Sequence, residues 1–250
     1  MFEKRIIPCL QLNNSSLVKT IKFKKINYIG DPINTVRIFN EIGVDEISFI
    51  DIRATINKTP PNYDILQEIA NECFVPLSYG GGISNINEVK KILNIGFEKV
   101  ILNSITFSNP QIVTEISKNT GSQSLICSID LKKNFFGKYF IYSHSGKRKQ
   151  PFKPIDWSKK MEDLGAGELL ITIINSEGTW DGFDNEIFEN ISNSVSIPVI
   201  AHGGGGSVNH VLNLRDNTNV SAIALGSLLV FQSKGMGVLV NFPEKLKYSL

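Results

Sequence analysis

The sequence predicts an α/β fold, a single (βα)8 TIM barrel over residues 1–250 that is built from two repeated half-barrels, about 1–121 and 122–250. Two observations predict it: an internal repeat that covers the chain, and short apolar runs that alternate with helix-like stretches. A chain of 250 residues suits one such barrel, and 42% hydrophobic residues are enough for its core.

The repeat consists of matched segments that occur in the same order in both halves. The pairs are 6–12 with 125–131, 32–46 with 154–168, 75–77 with 197–199, 81–82 with 203–204, and 102–104 with 225–227. One such match could arise by chance, but an ordered series could not. A doubly wound open sheet is the competing fold, and it does not predict a repeat of the whole chain.

Continuous apolar runs predict the barrel strands, because strands of a parallel sheet are buried on both faces. The runs are Arg5–Leu10, Glu46–Ile52, Leu77–Tyr79, Lys99–Leu102, Ser124–Ile129, Glu168–Ile173, Val199–Ala201 and Ala222–Leu225. Helices are predicted over 33–42 and over 86–93, the latter with Ser84-Asn85 as cap candidates. A further helix from Ile112 onward is predicted to have Asn109 as its cap and Pro110 in its first turn.

Composition and charge argue against several classes of protein. The net charge is +2, from 26 basic and 24 acidic residues, so nothing indicates a nucleic acid or an anionic membrane as partner. No apolar run reaches the roughly 18 residues of a membrane span, and residues 1–5 do not resemble a signal peptide. Cys9, Cys73 and Cys127 lack metal-ligand spacing and favour a reducing compartment. We therefore expect a cytoplasmic enzyme that needs no metal and no cofactor.

The loops after the strands should carry the chemistry, because barrel active sites lie at the carboxyl ends of the strands. Glycine runs end the third and seventh strands, and small polar residues end the fourth and eighth. Glycine lets backbone N–H groups approach a phosphate closely. A lone glycine run more often marks a tight turn, but two matched copies predict two phosphate sites, suited to a bis-phosphorylated ligand. The residues concerned are Gly81, Gly82, Asn103, Ser104, Gly204, Gly205, Gly226 and Ser227.

Asp51 and Asp130 are the acidic candidates at strand ends. Asp130 is placed at the barrel mouth, where a carboxylate can act as general acid or base, although a strand-end aspartate is as often a loop cap. Its repeat-mate is Gln11, an amide that cannot transfer a proton in this way. Among the histidines, we expect His202 to line the mouth, and His144 and His210 to be exposed.

Four charged residues lie at the opposite, N-terminal ends of the strands: Arg5, Glu46, Lys99 and Glu168. Buried charges must be paired, so position alone favours four solvated side chains on strand-leading turns.

Taken in order, these segments resemble HisF, the cyclase subunit of imidazole glycerol phosphate synthase, over essentially the whole chain. The matching residues include 4–10, Val18-Lys19, 30–32, 49–52, 80–83, 121–123, Ile129-Asp130 and 177–179. The resemblance implies that a HisH-like glutaminase docks at the N-terminal face and that ammonia passes through the barrel. It assigns the ammonia gate to Arg5, Glu46, Lys99 and Glu168. It also implies catalytic roles at Gln11, Lys19 and Asp130, a phosphate contact at Gly178, and a substrate pocket that includes Asp51, Thr172, Glu177 and His202.

Two positions depart from the HisF pattern. The family's other catalytic aspartate falls at position 11, which is glutamine here, and its Asp-Gly pair is Glu177-Gly178. A lost proton-transfer group should impair the cyclase by about 10²–10⁴-fold. Gln11 and the ending 237–243 resemble the WbuZ-type HisF paralogues, which are associated with sugar amidination in surface-glycan synthesis beside a sugar amidotransferase. Two alternatives stay open: a genuine histidine-pathway cyclase that tolerates Gln11, and a non-catalytic scaffold for ammonia delivery.

Overall fold

A computed structural model describes residues 4–247, and they form a closed parallel barrel with helices between its strands, as predicted. The strands of this described part are β1 Arg5–Asn13, β2 Ser16–Ile21, β3 Lys25–Gly30, β4 Ile47–Asp51, β5 Leu77–Gly80, β6 Lys99–Leu102, β7 Leu125–Lys133, β8 Tyr139–Ser143, β9 Arg148–Lys149, β10 Glu168–Ile173, β11 Val199–His202 and β12 Ala222–Leu225. The helices are α1 Pro32–Ile42, α2 Ala54–Asn57, α3 Tyr63–Glu72, α4 Ile86–Ile95, α5 Ser104–Ser108, α6 Gln111–Thr120, α7 Pro154–Asp163, α8 Asn185–Ser192, α9 Val208–Asn217, α10 Ser227–Val230 and α11 Glu244–Lys247.

The barrel strands pair in the order β1, β4, β5, β6, β7, β10, β11, β12, and β12 closes the barrel on β1. All eight predicted strands are present. β7 begins one residue later than predicted, because residues 122–124 form a turn of 3-10 helix ahead of it. β1 and β7 also extend beyond their predicted ends, because each continues into an antiparallel arm.

The two arms were not predicted. The first arm, β2–β3, pairs with β1, and the second arm, β8–β9, pairs with β7. β1 and β7 open the two halves of the sequence repeat, so the arms occupy corresponding places. Both arise from the carboxyl ends of their barrel strands and lie at the mouth.

The helix starts follow ordinary capping rules. Asp31 caps α1 by accepting a hydrogen bond from the Asn34 N–H, and Asn85 caps α4 as predicted. The prediction for α6 was wrong, because Pro110 occupies the N-cap position without a side-chain cap bond. Asn109 is instead the C-cap of α5, where its N–H donates to the Ile105 carbonyl oxygen.

The barrel interior is filled by alternate residues of the strands, as the period of two requires. An inner apolar cluster of mostly small and branched side chains occupies the middle: Ile7, Cys9, Ile101, Ile126, Leu170, Ile200, Ala222 and Ala224. Charged side chains close its N-terminal end, and polar ones line its mouth. Among residues 4–247 no helix is both long and apolar enough to cross a bilayer.

Candidate active site

A cavity of about 990 Å³ opens at the barrel mouth, between the strand ends and the two arms. We call it the mouth cavity. Residues predicted from the sequence form much of its wall: Gln11, Asp51, Gly81, Gly82, Asn103, Ser104, Asp130, Thr172 and His202. The described residues contain no cluster of three or more His, Cys, Asp or Glu side chains that could hold a metal ion.

A second, smaller depression, the glycine pocket, lies across the mouth. Its wall contains Lys19, Gly178, Gly204, Gly205, Gly226 and Ser227, and His202 borders both spaces. The two groups of predicted phosphate residues therefore lie on different sides of one barrel mouth, as the repeat predicts. Their binding to phosphate stays a prediction.

Packing alone would require glycine in both loops. A Cβ at Gly82, where φ is +72°, would lie 2.6 Å from the Thr59 carbonyl oxygen. A Cβ at Gly204 would lie 2.0 Å from the Gly182 carbonyl oxygen. These glycines let the loops pack whether or not an anion binds, so the case for phosphate rests on the charges around them.

Asp130 is the best-placed proton-transfer group at the mouth. It is buried at the inner side of β7, and Asn103 Nδ2 donates to its Oδ2 over 2.9 Å. Burial raises the pKa of Asp130 to about 7, and the bond from Asn103 opposes that shift. A carboxyl that titrates near neutrality can both give and take a proton under physiological conditions.

Gln11 is held at both ends of its amide. Its Oε1 accepts from the Thr20 N–H over 2.8 Å, and its Nε2 donates to Glu177 Oε1 over 3.2 Å. The side chain is buried and serves to join β1, β2 and the loop after β10. A neutral amide suits this place, because it satisfies one donor and one acceptor at once.

Glu177 was expected in the substrate pocket, and that expectation needs correction. The side chain is fully buried and lines neither the mouth cavity nor the glycine pocket. Its carboxylate accepts hydrogen bonds from Gln11, Lys19, Thr20 and the Phe23 N–H. These hydrogen bonds to the first arm hold Glu177 behind Gln11, outside the mouth cavity.

Lys19 borders the glycine pocket from β2 and is almost completely buried. Its ammonium contacts the Glu177 carboxylate and donates to the Thr20 carbonyl oxygen over 3.0 Å. Burial lowers the pKa of Lys19 to about 7, and the neighbouring Cys9 opposes that shift. A lysine with so low a pKa is a candidate for proton transfer, and in its charged form for binding an anion.

Two of the three histidines differ from what their sequence positions indicate. His202 lines the mouth, as expected, and its Nδ1 lies 3.2 Å from Thr172 Oγ1. Burial and the Lys19 charge lower the pKa of His202 to about 3, so it stays neutral. The expectation that His144 and His210 are exposed was wrong, since both are half-buried. The His144 N–H donates to Ser104 Oγ, and His210 Nδ1 accepts from the Gly206 N–H.

Asp51 lines the cavity but is engaged locally. Its Oδ1 accepts from the Arg53 and Ala54 N–H groups over 2.8 and 2.9 Å. Burial raises the pKa of Asp51, and these two bonds oppose the rise. It is therefore a loop-capping carboxylate at the pocket wall.

Five basic side chains around the mouth cavity were missed: Lys24, Arg53, Lys58, Lys147 and Arg148. They outnumber the three carboxylic acids of the wall, Asp51, Glu88 and Asp130. The excess of positive charge suits an anionic ligand. The three lysines within 22–25 and the basic run at 147–149 were the available signal, but their place at the mouth depends on the arms.

The four N-terminal charges form a closed set, which we call the charged ring. Arg5 contacts Glu46 and Glu168 over 2.7 and 2.6 Å, and Lys99 contacts the same two acids over 3.0 and 2.7 Å. Burial alone would raise the pKa of Glu168, but hydrogen bonds from Arg5 and Lys99 lower it overall. Pairing of every charge explains how Glu46 and Glu168 can be buried here.

The chain has close relatives among known proteins. A family model described as "Histidine biosynthesis protein" matches residues 5–234. The "Putative imidazole glycerol phosphate synthase subunit hisF2" of Pseudomonas aeruginosa is 43% identical over 98% of this chain and 97% of its own length. The "Imidazole glycerol phosphate synthase subunit HisF" of Staphylococcus carnosus is 39% identical over 97% of this chain and 96% of its own length.

Proposed function

Because the chain belongs to the histidine biosynthesis protein family and is a HisF-type barrel, we propose that it is a HisF-like synthase subunit that takes ammonia from a HisH-like glutaminase. We propose further that it binds a bis-phosphorylated substrate and serves sugar amidination in surface-glycan synthesis, with a sugar amidotransferase as a further partner. The observation that carries the sugar-amidination proposal is Gln11. Its amide bonds to Thr20 and Glu177 and stands where a HisF cyclase has a proton-transfer group.

The mouth chemistry supports a reaction with one acid/base group. Asp130 titrates near neutrality and can move a proton to or from a ligand in the cavity. Gln11 can only hydrogen-bond, so a step that needs a carboxylate on each side of the substrate lacks one of the two. A histidine-pathway cyclase remains the second candidate, favoured by the name of the Staphylococcus carnosus relative. A scaffold without catalysis is the third, and it requires that the chain has no turnover of its own for Asp130 to affect.

The charged ring supports ammonia entry at the N-terminal face. Glu46 is buried, and its Oε1 has no hydrogen-bond partner among the described residues. A buried carboxylate oxygen without a donor is costly, and the N–H bonds of ammonia or ammonium would satisfy it. Beyond the ring, Ala222 and Ala224 keep part of the barrel wall small.

Adding this chain to a HisH-type glutaminase is expected to raise glutamine hydrolysis by about 5–150-fold, the usual range of coupling between sites. Glu168→Gln should lose most of the stimulation, because it leaves Arg5 and Lys99 each with one acid instead of two. Asp181→Asn is the matched control, since it breaks the exposed ion pair with Lys234 at the other face. Absence of stimulation by the wild-type chain at saturating concentration would remove the partner from the proposal.

Two inorganic phosphate ions are expected to bind at the mouth of the crystallised protein. One should lie near Gly82 and Ser104, where the cavity wall is basic, and the other near Gly204 and Ser227. Arg148→Gln should weaken phosphate binding measured by calorimetry several-fold, because one cation is lost from the wall. A mouth without bound anion at millimolar phosphate would contradict the bis-phosphate proposal and leave the glutaminase proposal intact.

A further inference from the structure

The turn between β7 and β8 presents two adjacent phenylalanines to solvent. Phe135 is 98% exposed and Phe136 is 89% exposed, and their rings meet edge to face with centroids 5.7 Å apart. Neither lines the mouth cavity or the glycine pocket. Single exposed apolar side chains are ordinary, but an adjacent aromatic pair at the tip of an arm indicates a contact surface.

The backbone holds this pair outward. The Asn134 N–H donates to the Lys138 carbonyl oxygen over 2.9 Å, and the Gly137 N–H donates to the Asn134 carbonyl oxygen over 3.1 Å. Asn134 Oδ1 also accepts from the Lys138 N–H over 2.8 Å, and Gly137 adopts a φ of +81°. Phe135 and Phe136 therefore occupy the two central positions of a closed turn, and the turn needs neither ring for its own stability.

The sequence around this tip is basic. From Leu131 to Lys149 it contains six lysines and arginines and no aspartate or glutamate. They are Lys132, Lys133, Lys138, Lys147, Arg148 and Lys149. The overall charge of +2 hides this asymmetry, because it averages over the whole chain.

Substrate binding does not account for most of these cations. Only Lys147 and Arg148 line the mouth cavity, and Lys133 pairs with Asp184 over 2.7 Å. Lys149 lies 3.5 Å from the centre of the Phe140 ring, and Lys132 lies 5.3 Å from that of Tyr142. Positive charge thus accompanies aromatic rings along the arm outside the pocket.

We propose that the second arm is a membrane-surface finger. Phe135 and Phe136 enter the interfacial region of a bilayer, and Lys132, Lys138 and Lys149 contact anionic headgroups. Aromatic rings favour the membrane interface, and lysines gain energy near an anionic surface, so the two features reinforce each other. Because the arm arises from the carboxyl end of β7, binding brings the barrel mouth toward the membrane. The inference does not depend on which reaction the barrel performs.

Vesicle co-sedimentation tests the finger with the full-length protein. The chain should bind vesicles of phosphatidylcholine with phosphatidylglycerol, and bind phosphatidylcholine vesicles far less. The double variant Phe135→Ser/Phe136→Ser should lower the partition constant by about tenfold or more, and Lys138→Gln by about fivefold. Phe74→Ser is the matched control, since Phe74 is 87% exposed in the loop before β5, at the opposite end of the barrel. All variants change exposed side chains and should unfold at the wild-type temperature.

Three results would overturn the proposal that the second arm is a membrane-surface finger. One is no binding to anionic vesicles, another is equal binding to neutral ones, and the third is full binding by the double phenylalanine variant. Light scattering tests the alternative that the two phenylalanines bind a second copy of the chain. A dimer that the double variant abolishes, together with no vesicle binding, would assign the pair to self-association instead.

Discussion

Asp130→Asn is expected to lower the residual cyclase turnover of the chain by about 10²–10⁴-fold. It is also expected to stabilise the folded chain at pH 8. Asparagine keeps the acceptor for Asn103 Nδ2 but removes the carboxyl group, whose burial raises the pKa of Asp130 to about 7. Below pH 4 the carboxyl is protonated in both the folded and the unfolded state, so it costs nothing. As the pH rises from 4 to 7 only the unfolded chain ionises, and stability falls until both states are ionised.

The gain in the free energy of unfolding at pH 8 should be roughly 2–4 kcal/mol, or about 5–10 °C in thermal midpoint, and it should vanish near pH 4. Asp51→Asn is the matched control, because the Asp51 carboxylate is stabilised by two backbone N–H groups. It should show a smaller pH-dependent gain or none. A gain over the wild type that is no larger at pH 8 than at pH 4 would contradict the raised pKa of Asp130. Unchanged turnover would show that Asp130 does not act in the reaction.

Gln11→Asp alone is expected to recover little cyclase activity and to destabilise the fold. The new carboxylate would lie beside Glu177, which now accepts a hydrogen bond from Gln11 over 3.2 Å. Two buried carboxylates with Lys19 as their shared cation repel each other, so one of them takes up a proton. The double variant Gln11→Asp/Glu177→Asp shortens the second acid by one methylene and relieves the contact. It should recover cyclase turnover by about 10²-fold or more.

Gln11→Asn/Glu177→Asp is the control for size, because asparagine matches aspartate in shape without the charge. It should recover nothing. Adding Asp130→Asn to the recovering variant should abolish the gain, since both carboxyls are then needed. A single Gln11→Asp variant as active as the double one would show that Glu177 does not restrict position 11. No recovery in either would mean that the mouth differs from a cyclase at further residues.

The barrel could be predicted from the sequence because its strands are buried on both faces and repeat in order. Each apolar run needed only local information, and Asn85 as the cap of α4 did too. The arms escaped prediction, since β2 has four consecutive buried positions with a lysine and a threonine among them. A lysine in this position is expected at the surface. Lys19 is buried because it contacts Glu177, which is far away in sequence.

The sequence predicted many of the residues that line the candidate site, but not their protonation states or hydrogen-bond partners. The strand ends bring Gln11, Asp51, Asp130 and His202 to one cavity, as the barrel geometry requires. Their protonation depends on burial and on partners from distant loops, which no local pattern carries. Glu177 illustrates this, because its place behind Gln11 follows from bonds to the first arm. The charged ring could not be distinguished from solvated residues by position, and the HisF resemblance supplied that assignment.

Cyclase turnover by the unmodified chain tests the central claim most directly. The assay supplies the bis-phosphate ribonucleotide substrate of imidazole glycerol phosphate synthase with ammonium salt, so that no glutaminase is needed. Gln11 bonds to Thr20 and Glu177 and cannot transfer a proton, whereas Asp130 has a pKa of about 7. Turnover should therefore lie about 10²-fold or more below that of a HisF with both aspartates, assayed in parallel. Turnover equal to that of such a HisF would contradict the account and assign the chain to histidine biosynthesis.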